Sequence, residues 1–360
     1  MQNNPLLAAS GLPAFDRIRP EHVEHAVLAT LDANRAELEQ LLAAADQLEL
    51  GFDAAVLPIE RLGDRLHRVW SPVRHLQSVA NSPELRAAYN ACLPAISRYE
   101  TEMGHNQRLY ELYRRLGERA TAGPGEGASR LLELAIRDFR LSGVHLAPDQ
   151  KARFKTIMEE LSTAEANFEQ NVLDSAAAWS LHISDASRVR GVPAMVLEPA
   201  AERARAAGKP GWEFQLDQPT YVALVTHADD RELRKSVYRG WITRASDQAD
   251  YSPGHDNSVL MEQILALRHE AARIVGYPNF AAYSLATKMA KSVDEVRDFL
   301  VDLVRHSRDA ARRELAELEA FAGRELEPWD VAYYSEKLRH QRYSISDEAL
   351  RPYFPLPTVL

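Results

Sequence analysis

Apolar residues return every three or four positions through most of this chain, and that spacing commits it to helices. From Pro20 to about Ala45, Val23, Ala26, Val27, Leu31, Leu38 and Leu41 share one side of a helix. Pro20 suits its first turn, where a missing N–H costs nothing. A second helical region follows Pro58 and is expected to be interrupted near Ser71-Pro72. Ser82-Pro83-Glu84 reads as N-cap, first-turn proline and first-turn acid. The helix it opens is expected to kink or break at Pro94, then to run through Tyr99 and Met103 towards Tyr110 and Tyr113. Gly123-Pro124-Gly125-Glu126-Gly127 is a turn between helices; a phosphate loop would need Gly-Lys-Ser/Thr where Ala128-Ser129-Arg130 follows. After Pro148, the stripe Phe154, Ile157, Met158, Leu161, Ala164, Phe168 and Val172 reads as core packing along one long helix.

The period changes to two between Ala178 and Tyr221. Trp179-Ser180-Leu181-His182-Ile183 and Trp212-Glu213-Phe214-Gln215-Leu216 alternate apolar with polar, as short strands do. The fold class expected is therefore mainly α, a multi-helix body with a small β-ribbon around residues 179–216, here read as a hairpin on the surface. Pro193 to Ala207 suits a helix between the strands. Helices then resume. Asp229 with Glu232 and Ser292 with Glu295 read as capping boxes, and Gly276 as the stop of a helix from about Asn257 to Val275. After Ser292, Val296, Phe299, Leu300, Leu303, Val304, Ala311 and Leu318 line one face up to Gly323, with Arg308, Arg312, Arg313, Glu317 and Glu319 on a solvated face. The domain division expected is a helical region over 1–323 and an aromatic lead-in over 324–360.

Composition narrows the function classes. A formal net charge of −9, from 52 acidic against 43 basic residues, argues against a nucleic-acid partner. No apolar run approaches the length of a membrane span, so no membrane partner is expected. The first residues, Met1 to Leu7, lack the basic and apolar regions of a signal peptide. One cysteine, Cys92, allows no intrachain disulfide and fits a reducing compartment, so the cytoplasm is expected. Cys92 sits in an apolar helical context and reads as a small core residue.

The 12 histidines are the first place to look for catalytic spacing. A helical zinc hydrolase needs two histidines four apart on one face and a glutamate beside the first. His269-Glu270-Ala271-Ala272-Arg273 is the nearest approach, but Arg273 has no lone pair for a metal. His22 and His25 share a helix face without further ligands, and His67 and His75 are joined by no carboxylate pattern. There is no Gly-x-Ser-x-Gly elbow. No catalytic, cofactor-binding or metal-binding residue is assigned within this chain.

The densest aromatic stretch is Arg324 to Pro355, with Trp329 and the tyrosines 333, 334, 343 and 353. Tyr333, Tyr334 and Tyr343 are candidates for touching substrate, because a phenol can bond a peptide carbonyl while its ring packs. A half-buried domain junction is the more ordinary use of such residues. The apolar run Leu356 to Leu360 leaves little chain for this stretch to pack on, and the expectation is the front portion of a longer protein.

Several markers, in order, carry a resemblance. They are Leu12-Pro13-Ala14-Phe15 with Arg19-Pro20-Glu21-His22-Val23, Arg137 to Gly143, and Phe168 to Asp174. Glu232-Leu233-Arg234 with Tyr238 comes next, then Thr243 to Asp247, Leu267 to Ala271 and Ser284 to Met289. Pro328-Trp329-Asp330 with Tyr333-Tyr334 completes the series. Together they resemble the thimet oligopeptidase family of zinc peptidases. The resemblance implies two largely helical lobes around a narrow cleft, short peptides as substrates, and a zinc ion on a His-Glu-x-x-His helix. No position here matches those ligands, so zinc is expected only in a full-length parent and this chain alone is expected to be inactive. Self-association through an exposed apolar face near the C-terminus is also expected. The alternative is a non-catalytic helical interaction or scaffold protein.

Overall fold

The computed structural model describes residues 4–8, 11–120, 126–343, 350–355 and 358. They fall into two units that alternate along the chain: residues 1–168 with 260–291, and residues 169–259 with 292–360.

The first unit opens with α1 (Pro20–Gln47), α2 (Phe52–Val79) and α3 (Pro83–Gly104). Val27 and Leu31 of α1, Val69 and Val73 of α2, and Cys92 and Ile96 of α3 meet in one core. Burial pushes the Cys92 thiol up to about 12, helped by the charge of Glu24, so it stays an inert thiol at neutral pH. Farther along the same helices a second core joins Leu38, Leu42 and Leu62 to Leu109 and Tyr113 of α4 (Gln107–Ala120) and Leu132 of α5 (Glu126–Leu141). A third core packs Phe154, Ile157 and Leu161 of α6 (Pro148–Ala178) on Leu267, Ala271 and Val275 around α10 (Ser258–Ile274). The short α11 (Phe280–Leu285) completes the unit.

Two proline expectations give way to packing. α2 starts at Phe52 and runs through both Pro58 and Pro72. α3 runs through Pro94 to Gly104, and the break falls between Gly104 and Gln107. Each proline forfeits one backbone hydrogen bond, but its neighbours Val56, Ile59, Val69, Val73, Cys92 and Ile96 are buried, and their contacts hold the helix together. The cap at Ser82 is as expected: its hydroxyl accepts from Leu85 N at 3.2 Å. The glycine-rich turn at 123–125 lies outside the described residues, as do residues 356, 357, 359 and 360; α5 begins at Glu126.

The second unit takes the end of α6 and continues as β1 (Ser180–Ile183), α7 (Ala194–Ala206), β2 (Trp212–Gln215), α8 (Gln218–His227) and α9 (Arg231–Ile242). It ends with α12 (Val293–Ala322) and α13 (Pro328–Tyr343). The strands pair antiparallel, with Leu181 opposite Phe214 and Ile183 opposite Trp212. The ribbon is not a surface hairpin. α7 connects its strands, and Phe214 and Ile183 are buried against Val196, Leu224, Leu233 and Val237. Gly211 lets the second strand approach: at φ +90°, any Cβ there would meet the Ile183 carbonyl oxygen at 2.2 Å.

Helix starts in this unit are capped by short polar side chains. Ser292 accepts from Glu295 N at 3.1 Å, as its spacing predicts. At α9 the cap is Asp230, one residue later than expected; its Oδ1 accepts from the N–H groups of Glu232 and Leu233. Asp229, the cap expected from the sequence, is bonded to Tyr333 and Lys337 instead.

Candidate functional site

The most heavily organised polar cluster in the second unit lies where the start of α13 meets α8 and α9. Glu327-Pro328-Trp329-Asp330 opens α13 with proline in the first turn. Asp330 Oδ2 reaches back to accept from Glu327 N at 3.3 Å, which satisfies one of the helix's free N–H groups and places negative charge at its positive end.

Asp330 is fully buried and Arg234 very nearly so, at 0% and 1% exposed. Arg234 Nη2 donates to Asp330 Oδ1 at 2.8 Å. Its Nη1 donates to the carbonyls of Ala228 at 2.8 Å and Asp229 at 3.2 Å, just past the end of α8, and its Nε donates to the Trp329 carbonyl at 3.2 Å. One guanidinium therefore ties the end of α8 to the beginning of α13. Arg231 donates to both Asp330 oxygens, at 2.8 to 3.2 Å, and Arg324 to Oδ1 at 3.3 Å. Burial alone would push the Asp330 carboxyl up. The hydrogen bonds from Arg231 and Arg234, with the Glu327 N–H, more than offset that and hold it below its ordinary value. A buried charge pair of this kind is kept only when its hydrogen bonds are made, and here they are.

Tyr333 is the next layer. Its ring lies against the Arg234 guanidinium at 4.0 Å, with the Lys337 ammonium 5.0 Å from the ring and the Tyr334 ring edge-on at 5.2 Å. Its hydroxyl donates to Asp229 Oδ1 at 2.8 Å, and Lys337 Nζ donates to the same oxygen at 3.2 Å. Burial raises the Tyr333 phenol and the bond to Asp229 raises it further, so it is a hydrogen-bond donor and not a base at neutral pH. Burial raises Asp229 too, but Tyr333 and Lys337 bring it below its ordinary value.

The three tyrosine candidates thus have different surroundings. Tyr333 is committed to Asp229. Tyr334 packs edge-on against Phe321 at 6.3 Å and under Arg324 at 5.6 Å. Tyr343 is exposed. Beside the cluster, α7, α8 and α13 enclose a hollow of about 860 Å³, walled by Val192, Met195 and Val222 on one side and by Lys337 and His340 on the other. Asp330 and Arg234 belong to the motifs that carry the family resemblance but not to the site candidates. Nothing in the local sequence singles them out: Arg234 stands among Arg231, Glu232 and Lys235, and Asp330 follows Glu325 and Glu327, so both read as ordinary helix-surface charges.

Among the described residues no group of three or more His, Cys, Asp or Glu side chains could hold a metal. Glu270, the glutamate of the nearest sequence approach, takes a two-pronged bond from Arg153 at 2.7 and 2.6 Å, and that bond, against a small cost of burial, holds its carboxyl low. His269 beside it is exposed. His22 Nδ1 accepts the Arg19 N–H at 3.1 Å, a capping bond at the start of α1. His67 and His75 line a separate hollow of about 510 Å³, where the ring of His75 meets Phe15 edge-on.

Two family models match this chain. "Neurolysin/Thimet oligopeptidase, N-terminal domain" matches residues 25–151, and "Peptidase family M3" matches residues 224–360. The chain belongs to peptidase family M3. It is 42% identical to oligopeptidase A of Salmonella typhimurium and of Escherichia coli over 98% of its length, and 35% identical to a probable cytosolic oligopeptidase A of Arabidopsis thaliana over all of it. In each case the match covers 52% of the relative. The chain thus spans about half the length of these curated relatives. The arginine–aspartate cluster lies wholly within the stretch matched by the peptidase model. Among the described residues, no helix is long and apolar enough to cross a membrane.

Proposed function

We propose that this chain is the N-terminal portion of a cytoplasmic zinc metalloendopeptidase that hydrolyses short peptides, and that it has no peptidase activity by itself. The observation that carries the reading is the 42% identity to oligopeptidase A over 98% of this chain, at half the relatives' length. In this reading residues 1–323 supply much of one wall of a peptide-admitting cleft, and 324–360 lead into a catalytic region that carries the metal. The Arg231–Arg234–Asp330 cluster supports it as a rigid joint: it fixes the first turn of α13 to the helices before it, so that the polypeptide leaving α13 sets out in a defined direction.

The test is turnover of a short internally quenched peptide by two purified proteins, this chain and the full-length product of its gene. The expected result is turnover by the longer protein alone, lost with a chelator and restored by zinc. Zinc-dependent turnover by this chain would overturn the proposal of inactivity. A full-length product without zinc-dependent turnover would overturn the peptidase reading and leave the second one, a non-catalytic helical interaction protein, which the uncovered face of α12 favours.

A further inference from the structure

α12 is 30 residues long and buries none of them. A helix of that length, about 45 Å, draws its stability in a folded protein mainly from packing. The second half of α12 has such support: Phe321 meets the Tyr334 ring, Glu317 pairs with Arg342, and Glu319 accepts from Leu326 N. The first half does not. Val296, Phe299, Leu300, Leu303 and Val304 fall at spacings of three and four, and the last four are 62%, 53%, 49% and 51% exposed. The opposite side is finished for water, with local ion pairs Arg297–Asp294 at 2.9 Å and Arg305–Asp302 at 2.5 Å. The helix is therefore built for two surroundings, and only one of them is present.

We propose that this stripe is a docking face, and that its occupant is an apolar helical surface of the polypeptide by which the longer family members exceed this chain. The proposal rests on the peptidase reading above. Two observations select that occupant. The stripe lies inside residues 224–360, matched by the peptidase model, whereas the helices matched by the N-terminal-domain model bury their apolar faces against one another. The relatives carry roughly as much polypeptide again, since 52% of their length is accounted for here. Branched aliphatic and phenyl side chains at a three-and-four spacing fit the grooves of another apolar helix.

Cysteine accessibility tests this. Cys92 is fully buried with its thiol pushed up to about 12, so a new cysteine reports by itself when labelled peptides are read by mass spectrometry. Leu303→Cys and, independently, Val304→Cys are placed in this chain and in the full-length protein, with Arg312→Cys on the solvated side as the reference. The expected result is rapid maleimide labelling at 303 and 304 in this chain and at least tenfold slower labelling in the full-length protein, with position 312 reacting fast in both. Equal rates at 303 and 304 in the two proteins would overturn the docking face. So would slow labelling in this chain that speeds up on dilution, which would make a second copy the occupant. Peptide turnover by the same full-length samples separates the two failures. An active enzyme that labels fast sinks the docking face alone, and an inactive one that is protected sinks the peptidase reading alone.

Discussion

α1 and α12 are nearly the same length, 28 and 30 residues, and both carry an apolar stripe at a three-and-four spacing. α1 buries nine side chains and α12 buries none. Sequence periodicity reports which face of a helix is made for burial. It does not report whether the partner is in the same chain. In α1 the partners, α2 and α3, come within 60 residues. Among the described residues, the last turns of α12 pack on α13, and the apolar side chains of its first turns are half-exposed or more. The difference locates the uncovered apolar face of this molecule: not in its N-terminal helical core but on one long helix in the region that matches the peptidase model.

The largest expected effect comes from breaking the joint that anchors α12's one neighbour. Asp330→Ala leaves Arg234 buried without its counter-charge and should cost about 3–5 kcal/mol in urea denaturation. The pH dependence has a definite sign. The folded Asp330 carboxyl lies below its ordinary value, so its contribution is fully present above the unfolded value of about 3.9 and is lost as pH falls through the lower folded value. The stability difference between the native protein and Asp330→Asn should therefore be constant near neutrality and shrink on acidification below about pH 4. A difference that grows on acidification would mean the carboxylate is not the stabilised form.

Next, Leu31→Ala in α1 should cost about 2–5 kcal/mol, because it opens a cavity among fully packed neighbours. Leu303→Ala in α12 removes the same atoms from a half-exposed position and should stay within about 0.5 kcal/mol. Comparable losses at the two sites would erase the contrast between the helices. A smaller loss than at Leu31 comes from Tyr333→Phe, which removes one hydrogen bond to a carboxylate that keeps Lys337. A loss of about 0.5–1.5 kcal/mol is expected, and no change in fold by circular dichroism.

Much of the fold was legible in the sequence because its signals are local. Ser82 and Ser292 cap the helices they precede, Gly276 at φ +91° ends α10, and the two alternating segments pair as strands. The features that were not legible depend on tertiary contact. Pro58, Pro72 and Pro94 are helix breakers in isolation, and buried neighbours carry the helix past each of them. Asp229 and Asp230 are adjacent in sequence, and contacts from far along the chain separate them: Tyr333 and Lys337 engage Asp229, while Arg188 holds Asp230, which caps α9. Arg234 reads as one more helix-surface arginine until Trp329 and Asp330 close over it. The aromatic stretch stands out in the sequence as a surface needing a partner. Part of it has one inside the second unit, while Tyr353 and Phe354 stay exposed.

The most direct test of the account is amide hydrogen exchange resolved by peptide, run on this chain and on the full-length protein. Side chains without buried contacts leave a helix open to local unfolding, so residues 293–304 should exchange far faster than residues 23–42 in this chain and approach their protection in the longer protein. If residues 293–304 are as protected as residues 23–42 in this chain alone at low concentration, the face is not waiting for a partner and the account fails.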